Sequence, residues 1–160
     1  METVLKLAEM NAELLNRMLA DVPQELMCRQ LHGVKNHAAW QVGHLAFVRA
    51  GMAQILGAEP VLGPEWQGKF GRGTEPVDDP TAYPSKEELL AAYARAHRAS
   101  VEAIRRADDA TLDGPTPVPG MAKRFPTKRL LIIGMFGSHE ALHLGQLSVW
   151  RRLVGLPRVL

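Results

Sequence analysis

Residues 130–153 read LLIIGMFGSHEALHLGQLSVWRRL, a largely apolar stretch without proline that contains two histidines four residues apart. Its apolar residues recur with a helical period, which predicts a long C-terminal helix that begins after a cap at Thr127. His139 and His143 then lie one turn apart on one helix face, where both imidazoles can reach a single metal ion. Neutral imidazole is a good ligand for zinc, nickel, copper and ferrous iron. The stretch therefore predicts a helix that carries part of a metal site.

Three further stretches have helical periodicity. They cover approximately residues 2–19, 37–56 and 85–107, and the third begins with the capping-box pair Ser85 and Glu88. We find no convincing strand, internal repeat or second domain. Four helices with short and long connections predict an all-α four-helix bundle, in one domain over residues 1–160.

The connection between the second and third helices, residues 57–84, is long and rich in glycine and proline. Loops of this length in compact domains are usually functional or disordered. Because Trp66, Phe70 and Tyr83 are costly to expose, we expect part of this crossover loop to pack against the bundle. It leaves the end of the second helix, so we expect it to border the mouth of the site or a dimer interface, with the interface favoured.

Composition excludes several classes of protein. The 160 residues are 46% hydrophobic and 22% charged, as in ordinary globular domains. Nineteen basic and seventeen acidic residues nearly cancel, which is not the pattern of a nucleic-acid-binding protein. We see no signal-peptide pattern and no apolar run of the roughly 18 residues that span a membrane. The single cysteine, Cys28, excludes an intrachain disulfide, and we expect a cytoplasmic protein.

The H-E-x-x-H run is also found in zinc peptidases, where the glutamate is the general base. Here Gln146 and Val149 stand where the longer metzincin motif needs glycine and histidine, and no sheet edge is predicted to hold a peptide. Glu140 lies about 100° from His139 on a helical wheel, which favours a buried or interfacial carboxylate over a base. The sequence therefore disfavours a peptidase.

The third ligand is expected from upstream, because none of the seventeen residues after His143 is His, Asp, Glu or Cys. His44, in the middle of the second helix, is the best candidate. His37 lies roughly 10 Å away along that helix, too far to share the site. His97 is favoured as a core or boundary histidine. Two core histidines bonded to other side chains remain the alternative to a metal pair.

Gln146 follows His143 by one turn on the same face. It is a candidate for the second shell, where it would hold a ligand or a bound water. A helix-interface amide is an equally good interpretation.

Two short motifs resemble one family. W-x-x-G-H-L occupies residues 40–45 and H-x-x-x-H-x-G-Q occupies residues 139–146, in the order and arrangement of the DinB/YfiT-like superfamily; residues 83–89 and 153–157 are also similar to its members. The resemblance implies an up-down-down-up bundle, often a homodimer, with a divalent metal held by the matched residues His44, His139 and His143. It also implies a link to thiol chemistry, because relatives include bacillithiol-dependent transferases and mycothiol-dependent isomerases and transferases.

We therefore predict a divalent-metal-dependent enzyme that acts on a small molecule, by thiol transfer or by metal-water hydrolysis. The metal would be Zn, Ni or Fe, with a low-molecular-weight thiol as a second cofactor in the transferase case. The alternative is a stress-associated bundle protein that binds a metal or small molecule without turnover.

Overall fold

The computed structural model describes residues 1–159, and within that range its regular structure is helical, without a β-strand. The prediction of an all-α protein is confirmed. The main helices are α1 (Glu2–Leu19), α2 (Ala38–Gln54), α4 (Lys86–Arg106), α6 (Lys128–Gly134) and α7 (Glu140–Leu153). Shorter elements are α3 (Glu65–Phe70), α5 (Asp109–Asp113) and 3₁₀ turns at Gln24–Leu26 and Pro80–Ala82.

The C-terminal helix is continuous but not uniform. A π-helical segment, Met135–His139, joins α6 to α7. Thr127 caps the start of α6 by accepting a hydrogen bond from the Leu130 backbone N–H, as the sequence predicts. No residue pattern in the sequence predicts the π-helical segment.

The other helix starts follow local chemistry. Ser85 accepts a hydrogen bond from the Glu88 N–H while Glu88 bonds back to the Ser85 backbone, so the predicted capping box is present. At the start of α2, His37 accepts a hydrogen bond from the Trp40 N–H. Each cap satisfies a backbone donor that the helix itself leaves without a partner.

Helix α2 is the most buried helix and packs along α4, with α1 and α7 against their other sides. Small residues on both helices, such as Ala46 and Ala50 on α2 and Ala92 and Ala96 on α4, are buried and allow close approach. Two groups of buried apolar residues form the core, and both draw side chains from α1, α2, α4 and the C-terminal helix. His44 therefore lies in a buried, closely packed part of the protein.

The connection over residues 57–84 packs against the bundle through α3. Trp66 and Phe70 are buried in the larger core group and Tyr83 packs beside them. These side chains thus stabilise the chain's own core and do not offer a surface for a second copy. The aromatic residues on which the dimer-interface expectation was based therefore no longer support it.

No helix in residues 1–159 is long and apolar enough to cross a membrane.

Candidate metal centre

Three histidines, from α2 and from the C-terminal helix, converge. His44 comes from α2, His139 ends the π-helical segment, and His143 lies one turn later in α7. One ring nitrogen from each lies within 4.8 Å of the others, and the Nε2 atoms of His44 and His139 are 3.1 Å apart. Two nitrogens bound to one tetrahedral zinc at about 2.0–2.1 Å would be about 3.3 Å apart. The cluster therefore has the dimensions of a metal centre.

His44 is oriented by the connection that follows α2. Its Nδ1 lies 2.7 Å from the backbone oxygen of Phe70. A carbonyl only accepts hydrogen bonds, so Nδ1 carries the hydrogen and Nε2 has its lone pair free to face the other histidines. The indole of Trp40 stacks on the same imidazole at 4.7 Å, and its own N–H donates to the Thr74 hydroxyl. This is how metal-binding histidines are usually fixed.

The cluster is uncharged near neutral pH. Burial lowers the pKa of His44, and burial followed by the neighbouring histidines lowers the pKa of His139 to about 4 and of His143 to about 3. Neutral imidazoles are the form that binds a metal, so little proton release is needed for binding at pH 7. The site offers three neutral nitrogen donors near pH 7.

The Nδ1 atoms of His139 and His143 are buried without a hydrogen-bond partner among the described residues. Core histidines that serve only packing normally have both ring nitrogens satisfied. This cluster therefore differs from two ordinary core histidines. The Nε2 atoms of His44 and His139, which face each other at 3.1 Å, belong to a donor set that fits a divalent cation.

Glu140 points away from this cluster. Its carboxylate accepts hydrogen bonds from Arg49 Nε at 2.6 Å, Arg49 Nη2 at 2.9 Å and Asn11 Nδ2 at 2.9 Å, and all three residues are buried. Burial raises the pKa of Glu140, while Arg49 and Asn11 oppose that rise. The expectation of a buried carboxylate is confirmed by this geometry.

Arg49 also contacts His97, which the sequence favours as a core or boundary histidine. Its Nη1 lies 2.6 Å from Nδ1 of His97, which is stacked on Tyr93. Burial, with the charge of Arg49 next, lowers the pKa of His97 to about 4, so His97 accepts this hydrogen bond as a neutral ring. We name the group Asn11, Arg49, His97 and Glu140 the Arg49 cluster. His97 belongs to it and not to the histidine site.

His37 and His32 also lie outside the site. His37 caps α2, with its other ring nitrogen 3.1 Å from the Val77 oxygen, while His32 is exposed. The prediction that His37 lies outside the metal site agrees with this arrangement.

Gln146 accepts a hydrogen bond from Asn36 Nδ2 at 3.1 Å. Asn36 precedes α2, so the contact joins α7 to that segment, as expected of an interface amide. A surface cavity on this flank of α7 is lined by Asn36, Leu142, Gln146 and Val149 among others. A role for Gln146 toward the metal stays a prediction.

Sequence reasoning missed the Arg49 cluster and the Phe70 carbonyl. One signal for the first was present: Arg49 is the only Lys, Arg, Asp or Glu in α2, where nearly every other residue is buried. A charged residue in such a helix needs a buried partner. The Phe70 contact has no sequence signal, because every residue has a backbone oxygen.

The fold and the site together define a helical protein with a candidate three-histidine metal centre. The model of the DinB superfamily matches residues 7–147, and the chain belongs to this superfamily, whose members are often metal-associated. The match includes all three histidines. A comparison with curated proteins finds none that matches the chain.

Proposed function

We propose that this protein is a divalent-metal-dependent enzyme whose metal is held by His44, His139 and His143. The observation that carries the proposal is the convergence of three neutral ring nitrogens within 4.8 Å. Three protein ligands leave at least one coordination position open, which is typical of catalytic and not of structural sites. Zinc, nickel and ferrous iron all suit this donor set.

Some residues of the site would bind the metal, and others orient those ligands. His139 and His143 supply ligands from one helix, and Phe70 and Trp40 fix the ring of His44. A divalent cation held there would supply Lewis acidity, which lowers the pKa of a thiol or water that reaches its open face. The buried surroundings strengthen such an electrostatic effect, because water screens it less.

Thiol transfer is favoured over hydrolysis by the position of Glu140. Hydrolysis in the H-E-x-x-H peptidases uses the glutamate as general base. Here that carboxylate is bonded to Arg49 and Asn11. A thiol needs less help, because its ordinary pKa of about 8.5 is already near neutral. We therefore propose a small-molecule S-transferase with a low-molecular-weight thiol as co-substrate.

A second candidate is a non-enzymatic, stress-associated protein that binds a metal or small molecule. It is favoured by the same observation about Glu140: the glutamate of the motif is engaged elsewhere, and the metal-ligand group contains histidines alone. A site that only binds has no need of an acid or base.

The test has two stages. Purified protein is loaded with Zn, Ni or Fe(II), and the metal per chain is measured. The loaded protein is then incubated with a panel of low-molecular-weight thiols and a model electrophile, and thioether formation is followed by mass spectrometry. An S-transferase forms adducts with at least one thiol, and His143→Ala does not. Metal binding without adducts or hydrolysis across the panel favours the binding protein.

We further propose an up-down-down-up four-helix bundle in one domain over residues 1–160, with a long crossover between α2 and α4. We also propose a homodimer in the cytoplasm, without nucleic-acid or membrane partners. Support comes from the superfamily match and the near balance of charges. Light scattering at micromolar concentration tests the dimer, and a monomer would refute it.

A further inference from the structure

The π-helical segment Met135–His139 ends at a proposed metal ligand. Segments of this kind are rare in helices and are frequent at functional sites. Its hydrogen bonding differs from that of an α-helix at one identifiable place. The backbone N–H of Glu140, which an α-helix would direct to the Phe136 oxygen, bonds instead to the oxygens of Met135 and Gly137. The Phe136 oxygen thereby loses its usual partner.

Asn11 of α1 supplies a new partner. Its Nδ2 donates to the Phe136 oxygen at 2.9 Å and also to Glu140 Oε2 at 2.9 Å. Both partners are acceptors, so the NH₂ end of the amide must face them, and its two hydrogens satisfy both. Asn11 is buried, with 9% of its surface exposed. A buried carbonyl without a donor is costly, so this contact stabilises the π-helical hydrogen-bonding pattern over the α-helical one.

The hydrogen-bonding pattern decides where His139 points. A π turn contains one residue more than an α turn, so closing it to α geometry would rotate one side of the helix by about 100° relative to the other. Both sides are fixed by packing, through Leu131 and Ile132 in α6 and through Leu147 and Trp150 in α7. The adjustment must therefore fall in the segment between them, where His139 lies 3.1 Å from His44.

We propose that Asn11 is a positioning residue for the metal centre. By bonding the Phe136 oxygen and Glu140 together, it holds the π-helical register that places His139 against His44 and His143. It touches no ligand directly and acts through the backbone between Phe136 and Glu140. The proposal rests on the proposed metal function and adds a residue, 128 positions before His139, to the parts that tune it.

The variant Asn11→Leu, which has the same number of side-chain heavy atoms in the same branched arrangement, removes both hydrogens that Asn11 donates. Asn16→Leu is a matched control, because it makes the same change at an exposed position of the same helix. We expect Asn11→Leu to bind Co(II) at least about tenfold more weakly, the size of effect seen when outer-shell partners of ligands are lost. Its visible Co(II) spectrum should also change, which a uniform loss of stability would not cause. Asn16→Leu should match the wild type in both.

A second measurement on metal-free protein separates this proposal from the proposed function. The hydrogen-exchange rate of the Glu140 amide should differ between Asn11→Leu and the wild type, because its acceptor changes, while amides in the middle of α4 keep their protection. If the wild type binds no metal, the proposed function fails, and the role of Asn11 in metal positioning fails with it. Unchanged exchange at Glu140 overturns the register claim whether or not metal binds.

If Asn11→Leu does not fold, Asn11→Ser carries the test. Its short hydroxyl has one hydrogen and cannot satisfy two acceptors, so Co(II) binding should weaken by an intermediate factor with a shifted spectrum. A folded variant of either kind with wild-type Co(II) affinity and spectrum would overturn the proposal.

Discussion

The histidine site and the Arg49 cluster share one turn of helix, but they differ in how their buried polar groups are paired. His139 points to one and Glu140, the next residue, points to the other. In the Arg49 cluster a buried charge meets an opposite charge, and the carboxylate has three donors. In the histidine site, three neutral rings crowd together and two buried nitrogens have no partner among the described residues.

The two regions show how a structural polar group differs from a binding group inside one small core: the structural group has its partners within the chain. Burying a polar group is tolerated when its partners are all within the chain. The Arg49 cluster meets that condition and needs nothing more. The histidine site does not meet it, and a cation would bind the ring lone pairs that face the centre of the cluster. In the proposed site, the motif H-E-x-x-H thus contributes two ligands and one residue that is bonded to Arg49.

Metal stoichiometry should distinguish the two regions most strongly. His143→Ala should reduce bound metal from about one ion per chain to none, because two histidines rarely hold a divalent ion tightly. Glu140→Gln should keep the stoichiometry, because its carboxylate faces Arg49. Elemental analysis after gel filtration measures both. Loss of metal in a folded Glu140→Gln protein would contradict the separation.

The second effect concerns stability. Arg49→Met leaves Glu140 buried without its charged partner and should lower the free energy of unfolding by about 3–5 kcal/mol. Urea denaturation of the metal-free protein measures it. Arg98→Met, at an exposed position of α4, is the control and should change stability by less than about 0.5 kcal/mol. A similar small change in Arg49→Met would mean that the pair contributes little.

The third effect tests how the histidine site is supported. A Cβ added at Gly43 would collide with the ring of Phe70, whose carbonyl orients His44. Gly43→Ala should therefore lower stability by about 1–3 kcal/mol and weaken metal binding. Gly51→Ala, in the same helix with open space around it, should be neutral or stabilising by up to about 1 kcal/mol. Calorimetric titration with Zn(II) and urea denaturation compare the two, and equal behaviour would count against support by Phe70.

The fourth effect is the dependence of stability on pH. An unfolded histidine titrates near pH 6.5, whereas His139 and His143 titrate at about 4 and about 3 in the folded protein. Between these values the unfolded chain binds more protons, so stability of the metal-free protein falls as pH falls from 6.5 toward 4. The variant His139→Gln/His143→Gln should lose less stability between pH 7 and pH 5.

Exposed His32 provides the control for this pH experiment, since His32→Gln should leave the pH dependence unchanged. Urea denaturation at the two pH values gives the comparison. If the double variant and the wild type lose equal stability, the two histidines are not buried as neutral rings.

Local chemistry explains what the sequence could predict. The capping box at Ser85, the cap at Thr127 and the apolar stripes depend on residues three or four apart, and the structure contains them. The convergence of His44 with His139 and His143 followed from placing each on an inward helix face. The motifs at residues 40–45 and 139–146 led to the superfamily, which the match confirms.

What could not be predicted depends on distant partners. The π-helical segment is stabilised by Asn11, 125 positions before Phe136. Arg49 meets Glu140 across 91 positions, and nothing near either residue specifies the other. Helix α3 lies in a connection rich in glycine, and its contact with His44 is made by the backbone oxygen of Phe70. Tertiary contacts, not local propensity, determine these features.

The central claim is that His44, His139 and His143 bind one divalent ion together. X-ray absorption spectroscopy on zinc-loaded protein, with zinc per chain measured on the same sample, tests it most directly. We expect one zinc per chain and three imidazole nitrogens at about 2.0–2.1 Å from it. Fewer than two imidazoles on the metal, or no zinc retained by the folded wild-type protein, would contradict it.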